Sequence, residues 1–384
     1  MAGTLAIALG TGPVPALPPG PAPPPASPRE LASVRILAVG DIMMHQDVQA
    51  SARQTEGGLQ ALWADVEPLL AEADLAFANL ETPVAPDTGG PGRPFQFNAP
   101  ADLPAALRAS GFTVLSVANN HSFDQGAQGL LETLDRLARQ GLVAVGAGAT
   151  RALAEQPRIV QVKGLRVAFL GFTDVFNVNL DRSDQAPWVC PLEPAAAEAA
   201  VRQARERADA VVVSVHWGSE YSHQALPRQR EVAARLVEAG ADLVLGHHPH
   251  VLQPVEWLER GGRRGLVAYS LGNFISNQDR DYRAGQDPAE AGDSRDGVAL
   301  QCRLAQVRRA DGSLQVQVRD LRCEPLWTLN NWNDFSLGRA RRREIRVTPV
   351  GAALARLRPG EAALGQALAV RRGRAFQCLG VAAP

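Results

Sequence analysis

Short apolar runs alternate with amphipathic helical stretches along most of the chain, and this alternation limits the fold more than any other feature. Val34–Val39 predicts a buried strand, and the apolar residues over Leu59–Glu72 recur at helical spacing. Further along lie the most apolar strand of the chain, Ala210–Val215, a helix over Pro227–Ala239 and a strand at Leu243–Leu245. Strands separated by helices are typical of layered folds with parallel strands. The sequence therefore predicts an α/β fold.

Both ends of the chain depart from this pattern. Nine prolines lie between Pro13 and Pro28, and a stretch of this composition has no core to bury. The antiparallel strand pattern after residue 297 fades beyond Thr328. The sequence therefore predicts three parts: a disordered, Pro-rich segment over residues 1–33, one domain over residues 34–327 and a C-terminal extension over residues 328–384.

The charge balance and hydropathy exclude two classes of partner. The chain carries 39 Lys and Arg against 40 Asp and Glu, a formal net charge of −1. Nucleic-acid binding relies on a surplus of cations that neutralise phosphates, so no nucleic-acid partner is expected. No apolar run approaches the roughly 20 residues of a membrane-spanning helix, so no transmembrane segment is expected. Met1–Gly10 carries no Lys or Arg, so no convincing signal peptide is expected either.

Side chains that can bind metals follow several of the predicted strands. His121, His216 and the cluster His247–His250 each end or follow a buried strand, and Asp41 and Glu81 follow two more. Ligands of α/β folds bind beyond the carboxyl ends of the strands, where these side chains are expected to converge. Imidazole, carboxylate and amide oxygen form a ligand set for Zn, Mn or Fe. The sequence therefore predicts a metal site at this edge of the sheet.

The segment His248–Pro249–His250 predicts two metal-binding rings on the same side of the backbone. Side chains two residues apart on an extended backbone point the same way. Pro249 fixes its own φ and favours an extended conformation at His248. We therefore expect His248 and His250 to reach one site from an extended segment.

The motif Asn119–Asn120–His121 adds a proton donor to the predicted site. The carbonyl of Asn120 is a neutral oxygen ligand, and His121 is expected to point across the metal toward a leaving group. This set suits hydrolysis of a phosphate ester, in which two metals activate a water and stabilise the developing charge while a histidine protonates the departing oxygen. His121 is therefore predicted to be a general acid and not a primary metal ligand.

Six sequence blocks follow one another within residues 36–274. They are Gly40–Asp41, Ala78–Asn79–Leu80–Glu81, Asn119–Asn120–His121 with Asp124–Gln125–Gly126, Val215–His216–Trp217–Gly218 with Glu220, Gly246 with His248–Pro249–His250, and Ser270–Leu271–Gly272–Asn273–Phe274. In this order they resemble the signature set of the CapA family of poly-gamma-glutamate capsule biosynthesis proteins, a branch of the calcineurin-like metallophosphoesterase superfamily. The resemblance implies a four-layer αββα sandwich of two mixed sheets flanked by helices, with a dinuclear metal site at their edge.

The residues and the resemblance together give one set of predicted site residues. The metal ligands are Asp41, Glu81, Asn120, His216, His248 and His250, and they would hold two divalent ions of Mn, Zn or Fe. The catalytic residues are His121 and Asp124, and the accessory residues are His45, Asn79, Asn119, Glu220, His247 and Asn273.

The first motif departs from that of the superfamily. Where the superfamily has Asp-x-His, this chain has Asp41–Ile42–Met43, and the nearest histidine is His45. Glu81 stands where the superfamily has a metal-bridging aspartate. Three alternatives stay open: one metal lacks a ligand, a different ion is bound, or His45 or Glu220 supplies the ligand.

Three functions are compatible with these predictions. The leading hypothesis is a metal-dependent hydrolase of the metallophosphoesterase type, acting on poly-gamma-glutamate or on a phosphoester. The second is a non-catalytic subunit of a polymer synthase or export complex, with polyglutamate synthase subunits as its partners. The third is a metal-dependent gamma-glutamyl amidase or peptidase, because two metals can also polarise an amide carbonyl. The resemblance implies a location in the cell envelope or outside the cell.

Overall fold

The structure is a computed structural model that describes residues 29–178, 183–309, 311–357 and 362–382. Residues 1–28, most of the segment predicted to be disordered, lie outside the described residues. The strands are β1 (Arg29–Ile42), β2 (Leu75–Leu80), β3 (Val114–Ser116), β4 (Val143–Val145), β5 (Ala147–Gly148), β6 (Arg158–Val162), β7 (Leu165–Thr173), β8 (Trp188–Val189), β9 (Ala210–His216), β10 (Leu243–His247), β11 (Val255–Arg260), β12 (Arg263–Ala268), β13 (Asn273–Ile275), β14 (Asp296–Arg308), β15 (Leu314–Asn330) and β16 (Ile345–Pro349).

The α-helices account for most of the remaining regular structure. They are α1 (Gln46–Gln54), α2 (Gly58–Ala61), α3 (Glu67–Ala71), α4 (Leu103–Ala109), α5 (Gly126–Arg139), α6 (Arg151–Glu155), α7 (Pro194–Arg207), α8 (Pro227–Ala239), α9 (Trp332–Ser336), α10 (Val350–Ala355) and α11 (Ala362–Leu379). Two 3-10 turns, Ala64–Val66 and Ala289–Arg295, complete the set. No helix in these described ranges is both long enough and apolar enough to cross a membrane.

The strands form two large sheets and one pair. The first sheet has the order β16-β15-β14-β1-β2-β3-β4, with β13 also paired to β1, and the second has the order β11-β12-β10-β9-β7-β6. In the first sheet β1 runs parallel to β2 and antiparallel to β14. In the second, β9 runs parallel to β10 whereas β11 runs antiparallel to β12. Both large sheets are therefore mixed, as predicted.

Alternate residues of the central strands face different layers, and this alternation builds the sandwich. In β1, Ile36 belongs to the core between the two sheets, whereas Leu37 packs into the core that also contains residues of α1, α4 and α5. In β9, Val212 faces the inter-sheet core and Val213 packs with residues of α7 and α8. A strand with apolar residues on both faces must be covered on both sides. The predicted four-layer αββα arrangement is confirmed.

Two predicted boundaries fall inside regular strands. Residues 29–33, predicted to be disordered, form the start of β1, where Arg29 pairs with Arg308 and Ser33 pairs with Ala305. The boundary at residue 327 lies within β15, and β16 continues the same sheet by pairing with β15. Backbone hydrogen bonds to a neighbouring strand order these residues, although their own composition gives no strong strand signal. The prediction of disorder over residues 29–33 is therefore wrong.

Gly246 and Gly40 allow the backbone to pack closely beside the predicted ligands. A Cβ at Gly246 would lie 1.9 Å from the carbonyl oxygen of Tyr269, and one at Gly40 would lie 1.8 Å from that of Gly272. Such distances are far inside van der Waals contact, and both obstacles are backbone atoms. The two glycines of the sequence blocks are therefore required by packing.

The Gly246→Ala variant should lose about 1–3 kcal/mol of the free energy of unfolding, because the backbone must move apart to admit the methyl group. Denaturant unfolding measures this loss. The Gly373→Ala variant is the control: its added methyl group in α11 meets nothing within 4 Å, and alanine is a better helix former by roughly 0.5–1 kcal/mol. Equal stability of the Gly246→Ala variant and the unsubstituted protein would contradict the packing explanation.

Candidate metal centre

The predicted metal ligands meet at the carboxyl ends of the central strands of both sheets. Asp41 lies at the end of β1, Glu81 directly follows β2 and His216 ends β9, and all three are fully buried. His248 and His250 follow β10 and are also buried. The two sheets each contribute ligands, so the site lies where the edges of the sheets meet.

Three overlapping groups of side chains place potential ligand atoms within 4.8 Å of one another. They are Glu81 with His216 and His248, Asp41 with Glu81 and His250, and Glu220 with His248 and His250. Glu81 belongs to the first two groups. A carboxylate shared in this way has the position expected of a ligand that bridges two ions.

Buried polar atoms without partners lie at the middle of these groups. Among the described residues, Glu81 Oε1 and His248 Nδ1 are buried and have no hydrogen-bond partner. His216 Nε2 lies 3.5 Å and His250 Nε2 lies 3.8 Å from Glu81 Oε1. Buried polar atoms are normally hydrogen-bonded, and leaving them unpaired costs free energy. Carboxylate and imidazole atoms placed in this way fit the ligand preferences of divalent cations such as Zn²⁺ and Mn²⁺.

The two buried carboxylates have opposite electrostatic environments. Burial alone would raise the pKa of Asp41, but the rings of His247 and His250 hold it well below its usual range. Asn79 Nδ2 donates to Asp41 Oδ1 at 2.8 Å, and His250 Nδ1 lies 3.2 Å from Asp41 Oδ2. For Glu81, burial and then the charge of Asp41 raise the pKa well above its usual range. Asp41 is thus stabilised as an anion by its neighbours, whereas an anionic Glu81 lacks such partners.

His248 and His250 do not lie on an extended segment, so the predicted basis for their pairing is wrong. Their φ angles are +96° and +58°, in the region that non-glycine residues rarely adopt. The backbone N–H of His248 donates to Asp41 Oδ2 at 3.3 Å, and the N–H of Tyr221 donates to the carbonyl of Pro249 at 2.8 Å. These contacts hold a backbone that costs about 1–3 kcal/mol per residue. Both rings nevertheless reach one ligand group.

The Asn119–Asn120–His121 loop follows β3 and lies at the same edge. Asn120 Oδ1 lies 2.9 Å from His216 Nε2, which places it beside the first ligand group. His121 belongs to none of the three groups. Its Nδ1 lies 2.7 Å from Asp124 Oδ2. With Nδ1–H donated to this carboxylate, Nε2 is the ring nitrogen that can exchange a proton with a substrate.

The predicted accessory residues Asn79 and Asn119 connect the carboxylates to the asparagine loop. Asn79 Nδ2 lies 3.3 Å from Glu81 Oε2 as well as 2.8 Å from Asp41 Oδ1. Asn119 Nδ2 donates to Asn79 Oδ1 at 3.1 Å, and Asn119 Oδ1 accepts from the backbone N–H of His121 at 3.1 Å. These bonds fix the relative positions of the predicted ligands and of the predicted general acid.

The two candidates for the missing ligand differ in position. His45 belongs to none of the three groups, and its Nδ1 accepts a hydrogen bond from the backbone N–H of Asn277 at 3.3 Å. Burial lowers the pKa of His45 to about 4. Glu220 is exposed but shares a group with His248 and His250. The geometry therefore favours Glu220 over His45.

The remaining accessory residues flank His250 and Asp41. His247 is buried with its ring centroid 5.8 Å from that of Phe77, and its Nδ1 lies 3.1 Å from Asp41 Oδ1 without the alignment of a hydrogen bond. Asn273 Oδ1 lies 3.1 Å from His250 Nδ1. Outer partners of this kind orient metal-binding histidines.

Two residues beside the site were not predicted. The ring centroid of Phe97 lies 4.4 Å from that of His121, and the backbone N–H of Phe97 donates to Asp124 Oδ2 at 2.6 Å. Phe97 also lines a cleft of about 620 Å³. Tyr221 has its ring centroid 6.3 Å from that of His250. The position of Tyr221 beside Glu220 was a usable signal, whereas Phe97 lies in a Pro/Gly-rich loop with no such signal.

The profile of a protein family described as "Bacterial capsule synthesis protein PGA_cap" matches residues 35–278. The chain belongs to this family. The PGA_cap match contains every predicted site residue, from Asp41 to Asn273.

Several relatives of this PGA_cap chain carry names from capsule and polymer synthesis. The chain is 37% identical over 243 residues to "PGA biosynthesis protein CapA" of Bacillus subtilis (strain 168), which covers 62% of each protein. It is 34% identical over 258 residues to "Capsule biosynthesis protein CapA" of Bacillus anthracis, which covers 65% of this chain and 61% of that protein. The match therefore spans less than two thirds of the length of these relatives.

Two further proteins are similar to this PGA_cap chain. A Mycobacterium tuberculosis (strain CDC 1551 / Oshkosh) protein named "Probable polyglutamine synthesis accessory protein MT0602" is 33% identical over 216 residues, or 53% of this chain and 56% of that protein. The crystal structure of a 5'-nucleotidase precursor from Thermus thermophilus is 13% identical, with a TM-score of 0.45 over 90% of this chain and 59% of that chain.

Proposed function

We propose that this chain is a metal-dependent hydrolase of poly-gamma-glutamate or capsule metabolism, with a centre for two divalent ions of Mn, Zn or Fe. The observation that carries this proposal is the pair of ligand groups that share Glu81, with the buried, unpartnered Glu81 Oε1 between them. The names of the relatives support poly-gamma-glutamate as the polymer.

Residues from both sheets take complementary roles in this proposal. Divalent ions at such a centre supply a water of lowered pKa and stabilise developing negative charge. His121 holds the proton for the leaving group on Nε2, because its Nδ1 is bound to Asp124. Phe97 packs against the imidazole and limits the access of water from that side. The residues that would hold the ions are Asp41, Glu81, Asn120, His216, His248 and His250, with Glu220 as a further candidate.

Metal analysis and an activity screen test the proposal together. Protein purified without chelator should contain divalent metal, and chelation should remove turnover that the same metal restores. The screen compares phosphoesters with gamma-glutamyl polymers: turnover of a phosphoester supports the metallophosphoesterase reaction, and turnover of the polymer supports the amidase or peptidase reaction. Stoichiometric metal without turnover of either class would contradict the hydrolase proposal.

Two observations favour a second candidate function, a non-catalytic subunit of a polymer synthase or export complex. The side chain that replaces the histidine of the superfamily's first motif is Met43, which is buried and offers no imidazole. One relative is named as an accessory protein of polyglutamine synthesis. For this function we expect bound metal without turnover, and co-purification with polyglutamate synthase subunits.

A further inference from the structure

The C-terminal helix α11 is bound to Asp293 through charged hydrogen bonds. Arg371 Nη2 donates to Asp293 Oδ1 at 2.8 Å, and Arg374 Nε donates to the same oxygen at 3.0 Å. Arg374 Nη2 also donates to Asp293 Oδ2. Arg371 is 2% exposed and Asp293 is 6% exposed. Charge-assisted bonds are strong, and removal of one partner from a buried network is costly. The helix and the 3-10 turn Ala289–Arg295 are therefore held together.

The residue that follows Asp293 is connected to the metal centre. The carbonyl of Ser294 accepts from Asn273 Nδ2 at 2.8 Å, and Asn273 Oδ1 lies 3.1 Å from His250 Nδ1. With Nδ1–H donated to Asn273, the lone pair of His250 is on Nε2, the nitrogen 3.8 Å from Glu81 Oε1. Asn273 thus selects the tautomer and the ring orientation that metal binding requires.

His223 forms a second connection between Asp293 and the loops of the site. His223 Nε2 lies 2.8 Å from Asp293 Oδ2, and His223 Nδ1 donates to the carbonyl of Leu252 at 2.8 Å. The hydrogen bond with Asp293 is the largest of the effects that raise the pKa of His223 to about 10. His223 follows Glu220 by three residues, and Leu252 follows His250 by two. Asp293 therefore restrains both segments that carry the third ligand group.

We propose that the arginines of α11 are positioning residues for the metal ligand His250, acting through Asp293 and Asn273. The helix lies outside residues 35–278, which the family profile matches. The ligands and the device that orients one of them thus come from different parts of the chain. This inference rests on the proposed metal-binding function.

Metal affinity of the full chain tests the inference. Titration calorimetry with Mn²⁺ should give an affinity about tenfold weaker for the Arg374→Ala variant, at the lower end of the 10–100-fold range of outer-shell substitutions. The Asn273→Ala variant removes the direct partner of His250 and should lose about 10–100-fold. The Arg372→Ala variant is the control: this arginine lies on the same helix with its guanidinium 5.6 Å over the ring of Phe376, and its substitution should leave the affinity unchanged.

A double-mutant cycle separates positioning from general destabilisation. Titrations run well below the unfolding midpoint of each variant, so lost stability alone does not change the affinity. If Arg374 acts through Asn273, the Arg374→Ala substitution should weaken binding much less in the Asn273→Ala background. The Arg374→Lys variant keeps the charge next to Asp293 and should recover part of the affinity; it replaces Arg374→Ala in the comparison where the alanine variant does not fold.

Two results would overturn the inference. They are an unchanged Mn²⁺ affinity in the Arg374 variants, and losses in the Arg374 and Asn273 variants that multiply in the double variant. Failure of the proposed function looks different, because the unsubstituted protein would then bind neither Mn²⁺ nor Zn²⁺ nor Fe²⁺.

Discussion

Replacing His121 by alanine should lower turnover by about 10²–10⁴-fold and leave the metal content unchanged. His121 lies in none of the ligand groups, so its loss removes no metal-binding atom from them. Its Nδ1 is held by Asp124 Oδ2 at 2.7 Å, which orients the ring as a general acid requires. Turnover and metal analysis of the same preparation measure both parts of this expectation.

The leaving group provides the control for the His121→Ala variant. A substrate whose leaving group is already acidic needs no proton, so its hydrolysis should suffer least. A variant that is depleted of metal would place His121 among the ligands. Equal deficits on good and poor leaving groups would remove its role as a proton donor.

The Glu81→Gln variant should lose more than about 100-fold in metal affinity, because even residues that only orient ligands contribute 10–100-fold. Glu81 belongs to two ligand groups, so both ions lose a negative ligand. The metal-free variant should be at least as stable as the metal-free unsubstituted protein. Burial raises the pKa of Glu81 in the folded state, which favours a neutral carboxyl that glutamine imitates.

The sign of this effect can be checked through pH. A group whose folded pKa is raised stabilises the fold below its unfolded pKa, and that contribution is lost as the pH rises. Stability of the metal-free unsubstituted protein should therefore fall relative to the Glu81→Gln variant as pH increases above about 4.3, the ordinary glutamate pKa. The exposed Glu206 of α7 gives a matched Glu206→Gln control, which should change neither metal affinity nor this pH dependence. A Glu81→Gln variant with full metal affinity would contradict the bridging position.

The place of the site could be predicted from sequence because it depends on where strands end. Apolar runs stop at Asp41 and at His216, and the parallel pairing of neighbouring strands brings such ends to one edge. The identity of the ligand atoms then follows from the residue types. This part of the fold is determined by local patterns, which a single sequence displays.

The backbone of the histidine segment could not be predicted in the same way. Its left-handed conformation at His248 and His250 is held by Asp41 and Tyr221, which lie far away or in another loop of the sequence. Pro249 alone favoured the extended alternative. Contacts of the tertiary structure therefore outweighed the local preference.

The predicted helix over Leu59–Glu72 shows the same limit. The structure divides it into α2, the turn Ala64–Val66 and α3. Pro68 has no N–H to donate to the preceding turn, and the indole of buried Trp63 donates to Ser110 Oγ at 2.8 Å. The apolar spacing continues through this region, although the backbone does not form one helix.

The pairing of β1 with β14 has a consequence for how this protein is made. Ala38 pairs with Leu300, so about 260 residues separate the two partners. A ribosome that adds roughly 5–20 residues per second needs about 13–50 s to reach the second partner after the first. Throughout that interval one edge of an apolar strand has unpaired N–H and C=O groups, which can pair with another nascent chain. Correct assembly during synthesis therefore depends on keeping this edge covered until the late strand emerges.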